Sequence, residues 1–193
     1  MALVFNGTTN VISGVAVGGL PDGIVDTDML AANAVSSAKL ASGAGGKILQ
    51  VVQGTRTSQF SSTSTSYVDL GLSTSITPST NSKILAVVNI QAYLQLDDQE
   101  GFAIKLIRTP SGGSDATVFT SASVSDVRGY TNITGEHIRM YLRSAWDILD
   151  SSVGGDGSTT ITYKVQVANL TSSSISYSHS GNLSSITLLE VAA

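Results

Sequence analysis

The stretch KILAVVNIQAYLQL, residues Lys83–Leu96, decides the fold that this sequence predicts. Its even-numbered positions are all apolar, and they are Ile84, Ala86, Val88, Ile90, Ala92, Leu94 and Leu96. The odd-numbered positions include Asn89, Gln91, Tyr93 and Gln95. A period of two places these sets on opposite faces of a β-strand, whereas a helix would scatter the apolar set around its axis. The stretch therefore predicts a long strand with one face in the core and one wet face, on which Gln91→Asp should cost little unless that face is the trimer contact.

The same alternation recurs on both sides of this strand. Thr160–Asn169 repeats it clearly, and Gly101–Arg108 and Ser184–Val191 are further predicted strands. Glu136–Asp150 also fits a helical stripe, but we favour a strand because its neighbours are strands and Gly-rich turns bound it. Loops are expected at residues 97–100, 110–115, 129–135 and 151–158. Eight or so strands at this spacing predict a mainly β fold, an antiparallel β-sandwich of the jelly-roll kind.

An imperfect ten-residue repeat precedes the strands. Residues 23–32 are GIVDTDMLAA and residues 33–42 are NAVSSAKLAS, with Val25, Leu30 and Ala31 matched by Val35, Leu40 and Ala41. Units this small cannot bury their apolar residues alone, so they stack on neighbours or on other chains. We therefore predict an arm over residues 1–46, built from short helical turns and extended pieces, and a head domain over residues 47–193. Val25, Leu30, Val35 and Leu40 are the candidate anchoring and trimerisation residues.

Composition excludes several classes of protein. Charged residues make up 12% of the 193 residues, about half the usual share. The net charge is −4 and the ten Lys and Arg residues are scattered, which disfavours nucleic acid as a partner. There is no cysteine, hence no disulfide and no thiolate metal site. No run reaches the ~18–20 apolar residues of a membrane span, and residues 1–21 lack the basic start of a signal peptide.

Catalytic and metal-binding patterns are weak. Asp97, Asp98 and Glu100 sit together on a predicted loop, where they could bind a cation or act as general acids, but a solvated turn is the more usual role of such a group. His137 and His179 lack metal-ligand spacing, and no GxSxG motif occurs. We therefore expect no enzyme activity, no cofactor and no metal.

Aromatic residues on polar strand faces are the candidate binding residues. Tyr93 and Tyr141 lie on such faces, the latter on the same face as Arg139 and Arg143, while Tyr130 and Tyr177 occupy turn-like or short-strand contexts. These six residues could contact a receptor or another subunit. Packing in the core or at an interface is the alternative for each aromatic residue, and Arg139 and Arg143 could join Asp147 in an ion network between subunits.

Three segments resemble short fibre-like virion proteins of tailed phages of the marine and cyanobacterial type. They are LPDGIVDTDMLAANAVSSAKLASGAGGKILQVV (20–52), SITPSTNSKILAVVNI (75–90) and SSITLLEVAA (184–193). The resemblance implies a virion-located homotrimer, with the arm docked on the particle and a β-rich head pointing outward.

This resemblance leaves the place on the particle open. We expect a trimeric tail fibre or spike that contacts a glycan or protein of the host surface, and whose other partners are tail, baseplate or major capsid proteins. A capsid decoration protein, of the cement or head-fibre kind, is the alternative. A free carbohydrate-binding module would explain the sandwich but not the arm.

Overall fold

The computed structural model describes residues 4–6, 11–13, 47–96, 99–121, 127–130 and 138–192. The chain divides into two compact units, Met1–Gly45 and Gly46–Ala193. In the first unit, β1 (Val4–Asn6) pairs with β2 (Val11–Ser13) as an antiparallel hairpin. The ten-residue repeat lies outside the described residues, so its helical turns and the anchoring roles of Val25, Leu30, Val35 and Leu40 stay predictions.

The second unit is built from β-strands. They are β3 (Ile48–Arg56), β4 (Phe60–Ser62), β5 (Val68–Ile76), β6 (Lys83–Leu96), β7 (Gln99–Pro110), β8 (Ala116–Thr120), β9 (Val127–Tyr130), β10 (Ile138–Asp150), β11 (Ile161–Asn169), β12 (Ile175–Tyr177) and β13 (Ser184–Val191). The four strands predicted from alternation are confirmed, and Ile138–Asp150 is a strand rather than a helix. Within the described ranges no helix is long and apolar enough to cross a membrane.

The strands form two antiparallel sheets. The first has the order β10-β6-β13-β3. Past the end of β13, β12 pairs with the same edge of β6, and β4 pairs with β12. The second has the order β5-β11-β7-β8, and β9 pairs with the start of β7. This order, in which consecutive long strands alternate between the sheets, is that of a jelly roll. The predicted antiparallel β-sandwich is confirmed.

The core lies between the two sheets. The even-numbered face of β6 points into it, and Ile84 through Leu94 on that face are fully buried. They pack against residues of the second sheet, among them Leu72, Leu106 and Val165. Burying one such aliphatic side chain stabilises the fold by about 1.5–3 kcal/mol. Because the predicted inward face of β6 is the observed one, the opposite face of the first sheet becomes its outer surface.

A buried ion pair ties the two sheets together. Arg108 of β7 donates to both carboxylate oxygens of Asp150 of β10, at 2.6 and 2.7 Å. The Tyr163 hydroxyl and the Ser152 N–H donate to the same carboxylate, at 2.8 and 3.0 Å. Burial, and then the Asp150 carboxylate, raise the pKa of Tyr163 well above its ordinary value. The network therefore fixes β10 against β7 and β11.

A second polar network joins β13 to β3 and to the loop before β6. The Glu190 carboxylate, 1% exposed, accepts hydrogen bonds from Gln50 Nε2 at 2.7 Å and from the Ser79 N–H at 2.6 Å. Burial alone would raise the pKa of Glu190, but these hydrogen bonds outweigh it and hold the pKa below its usual range.

The predicted loops are confirmed in part. Turns occur at residues 111–115 and 151–158 as expected, with Gly112 in the left-handed region at φ 74°. The solvated turn predicted at 97–100 is wrong for Glu100, which lies inside β7 at 4% exposure and accepts a hydrogen bond from Thr171 Oγ1 at 2.7 Å. The reason is that the segment after β11 folds over the start of β7. Asp97 and Asp98 lie outside the described residues.

Candidate functional site

The outer face of the first sheet carries the candidate residues of β6 and β10. The antiparallel register pairs Tyr141 with Tyr93, Arg143 with Gln91 and Arg139 with Gln95. Side chains directly opposite each other in such a pair lie ~4.5–5.5 Å apart at Cβ. The structure therefore brings Tyr93, Arg139, Tyr141 and Arg143 into one patch, which the sequence pattern alone could not do.

Three aromatic rings form the centre of this patch. The rings of Tyr93 and Tyr141 are 5.1 Å apart at their centroids. His179 stacks on Tyr93 at 4.5 Å with an angle of 17° between the planes, and lies 5.8 Å from Tyr141. We call Tyr93, Tyr141 and His179 the aromatic cluster. Its outermost member, Tyr141, remains 61% exposed.

The loop between β12 and β13 holds His179 in the cluster. Gln91 Oε1 accepts a hydrogen bond from the His179 N–H at 2.8 Å, and the Gln91 carbonyl accepts one from the Ser178 N–H at 2.9 Å. Ser178 takes a left-handed backbone conformation at φ 50°, which a non-glycine residue adopts at a cost. The Asn182 side chain closes the loop by donating to the His179 carbonyl at 2.8 Å.

This loop overturns one prediction. Gln91 was expected on the wet face of β6, but it is 5% exposed because residues 178–182 fold over it. A carboxylate in its place would lose the amide donor to the Ala92 carbonyl and would be buried. The expectation that Gln91→Asp costs little is therefore wrong. The His179 Nδ1 atom is also buried, and it has no hydrogen-bond partner in the described part of the chain.

A small open groove runs beside the aromatic cluster. It has a volume of about 250 Å³ and is lined by Gln91, Tyr141, Leu142, Arg143 and Asn182. Arg143 Nη2 donates to the Leu183 carbonyl at 3.3 Å, which holds the guanidinium at the edge of the groove. We call this depression the Tyr141 groove. Its described lining contains one cation, two amides and one phenol, and no carboxylate.

Tyr177 and Tyr130 are the other two predicted contact residues. Tyr177 is fully buried, meets Phe102 edge-to-face at 5.3 Å and donates its hydroxyl to Asn169 Oδ1 at 2.8 Å. Its proposed role in surface contact is wrong, and the packing alternative holds, because β12 turns this ring inward. Tyr130 ends β9, but its side chain lies outside the described residues. An ion network between subunits stays a prediction.

His179 is the member of the cluster that sequence reasoning missed. It was considered only as a metal ligand, and its partner Tyr93 is far away along the chain. Ring stacking across such a distance leaves no local pattern in the sequence. Among the described residues, no group of three or more His, Asp or Glu side chains could hold a metal ion.

An apolar row crosses the other end of the same outer face. The register aligns Leu149, Leu85, Leu189 and Val51 across β10, β6, β13 and β3. Leu149 is 55% exposed and Val51 is 57% exposed. Ile48 and Leu49, at the start of β3, are also exposed. We call the four aligned residues the apolar row. Leu85 and Leu189, in the middle of the row, are half-buried, so the exposed apolar surface lies at its two ends.

Comparisons with known proteins add little. No protein-family model matches the sequence, and no curated protein matches it either. Among solved structures, the VP2 subviral particle of infectious bursal disease virus is similar at 16% identity with a TM-score of 0.40, over 75% of this chain and 37% of that chain. The Gx strain of the same virus gives 14% identity and a TM-score of 0.36, over 74% and 36%. The chain thus spans little more than a third of these capsid chains, and a likeness at these TM-scores carries no functional argument.

Proposed function

We propose that this chain is a structural protein of a phage particle, a trimeric tail fibre or spike. In this proposal residues 1–46 attach it to the particle and the β-sandwich contacts the host surface. The single observation that carries the proposed contact is the aromatic cluster, an exposed tyrosine backed by two stacked rings on the outer face of a sheet. The proposed place in a virion is supported by the sequence resemblance of the arm and of the segments at 75–90 and 184–193.

The geometry of the aromatic cluster suits recognition. Tyr and Arg are the residue types that contribute most at binding surfaces, and here Tyr141 lies between Arg139 and Arg143 on one strand face. The stacked rings of Tyr93 and His179 hold Tyr141 in place, so binding would cost it little conformational entropy. A packed jelly roll supplies the rigid support that such a surface needs.

The apolar row supports assembly of the chain with copies of itself. Its exposed ends, Leu149 and Val51, and the half-buried leucines between them are covered if a neighbouring head packs against this end of the sheet. Three arms that associate through their repeats would keep three heads at a high effective concentration, which favours contact between them. A closed ring of three copies also leaves no unpaired contact that could grow into a filament.

A capsid decoration protein is the second candidate, and the apolar row also favours it. In that case the row would be covered by the shell rather than by another head. The two candidates differ in where the protein sits on the particle.

The proposed anchoring is tested by co-sedimentation with particles of the phage that encodes the chain. The full chain should sediment with particles that lack it, whereas a chain that begins at Lys47 should stay in the supernatant. Circular dichroism of the shortened chain should still show a folded β-domain, because the hydrophobic core described for that domain lies within residues 47–192. Sedimentation of the shortened chain at the level of the full chain would place the anchor outside the arm, and failure of both chains to sediment would overturn the proposal.

A further inference from the structure

We propose that the Tyr141 groove binds an acidic saccharide, a sugar ring that carries a carboxylate. The inference deepens the proposed host contact and rests on it for its biological meaning. The binding site itself is a property of the folded head. Three features of the groove support it: an exposed aromatic face, a cation at its edge and one amide group, that of Asn182, which suits a hydroxyl.

The aromatic face comes first. Sugar rings present a face of C–H groups that packs on aromatic rings, because these weakly positive hydrogens meet the negative face of the π-system. Tyr141 is exposed enough to receive such a face, and Tyr93 and His179 support it from within the sheet. An aromatic residue that served only to fill the core would be buried, as Tyr177 is.

The cation gives the groove its selectivity. Arg143 follows Tyr141 by two residues and therefore lies on the same strand face, and Arg139 flanks Tyr141 on the other side. A guanidinium has five donors in a fork that matches a carboxylate, and in the described part of the chain the Leu183 carbonyl accepts from Arg143. The net charge of the whole chain is −4, so the positive charge of Arg139 and Arg143 is opposite in sign to that of the chain as a whole. An anionic ligand is favoured over a neutral or cationic one.

The Asn182 amide completes the site. Asn182 lines the groove and donates its Nδ2 hydrogen to the His179 carbonyl, so its Oδ1 atom is the acceptor that it can offer to a ligand hydroxyl. Gln91 is occupied in holding the His179 loop, so it shapes the groove rather than binding. An acceptor beside a donor fork is the pairing that sugar hydroxyls, which both donate and accept, can satisfy.

The size of the groove separates a saccharide from a protein partner. Its volume of about 250 Å³ falls just below the ~300 Å³ at which pockets for drug-sized ligands begin. It therefore fits about one sugar ring. A protein partner needs roughly 800 Å² of buried surface per side, much of it apolar at the centre, and a groove of this size supplies only a small part of that.

The test uses the full chain, with trigalacturonic acid as the acidic probe and maltotriose as the neutral one, both titrated by NMR. We expect trigalacturonic acid to bind more tightly than maltotriose. Arg143→Gln should weaken the acidic probe at least tenfold and leave the neutral one nearly unchanged, since it removes a charge-assisted hydrogen bond and each tenfold change corresponds to only about 1.4 kcal/mol. Tyr141→Ala should weaken both probes, because stacking does not depend on charge.

Lys83→Gln is the matched control for charge. It removes one positive charge from the far end of β6, about 30 Å from Tyr93 at ~3.3 Å per residue, and should change neither affinity by more than twofold. Equal binding of the two probes, or an Arg143→Gln variant that binds the acidic probe normally, would overturn the inference. Binding of neither probe would also overturn it and would favour a protein partner. All three results leave the particle experiment unaffected, so failure here is distinct from failure of the proposed function.

Discussion

Removal of the Arg108 guanidinium should destabilise the β-domain by about 3 kcal/mol. Arg108→Met leaves the Asp150 carboxylate, 4% exposed, without its cation, and loss of one partner of a buried ion pair costs ~3–5 kcal/mol. The Arg108 side chain is 19% exposed, so some water can reach the vacated space and the low end of this range applies. The Tyr163 hydroxyl and the Ser152 N–H still bind the carboxylate but cannot neutralise it.

Urea unfolding measures this cost, with Arg139→Met as the control. Arg139 lies on the exposed outer face, and its loss should change stability by less than ~0.5 kcal/mol. Adding Asp150→Asn to Arg108→Met should recover part of the loss, because an amide keeps an acceptor for Tyr163 and buries no charge. A cost below ~0.5 kcal/mol for Arg108→Met, or a double variant less stable than the single one, would refute the role given to this network.

Four further results are expected. Ile90→Asp should abolish the folded state in circular dichroism melts, since a lone buried carboxylate costs a large share of the ~5–15 kcal/mol stability of a domain. Gln95→Asp, on the exposed side of the same strand, should leave the melt nearly unchanged. The pKa of Tyr163 is raised above the ~10 of an unfolded tyrosine, so the stability that its protonated hydroxyl contributes is complete below about pH 10 and is lost as the pH rises further. Tyr163→Phe should therefore make the melting temperature fall less steeply at alkaline pH. Gly54→Ala should lower the free energy of unfolding in urea by about 2 kcal/mol or more, because a Cβ there collides with the Ser73 carbonyl oxygen. At Gly112 a Cβ meets open space, so Gly112→Ala should cost only about 1 kcal/mol, through the positive φ. Light scattering of the full chain should give three times the chain mass of 19.8 kDa, and a monomer at micromolar concentration would contradict the trimer.

The strands could be predicted because their signal is local. In Lys83–Leu96 the period of two is carried by neighbouring residues, and one buried face follows directly from it. Glu136–Asp150 was ambiguous between strand and helix because its apolar residues also fit a helical stripe. Ile138–Asp150 pairs with β6 over its whole length, and this pairing decides in favour of the strand. Tertiary pairing thus settles what local propensity leaves open.

The candidate site could be predicted only in part. Tyr93, Tyr141 and Arg143 were identified because they stand on polar strand faces, which alternation reveals. His179 joins them, and Gln91 is buried, because a loop that follows β12 returns over β6. Glu100 is buried for the same kind of reason. Contacts made by loops between residues far apart in the chain leave no periodic trace, so they could not be predicted from the sequence.

The central claim is that this chain is a fibre of a phage particle, and its most direct test is electron microscopy of intact particles labelled with antibody against the β-domain. The proposed function predicts label at the tail, on projections that are missing when the chain is absent. Label spread over the capsid would contradict the tail assignment and support a decoration protein. Purified particles without any label, from preparations in which the chain is made, would contradict a place in the virion altogether.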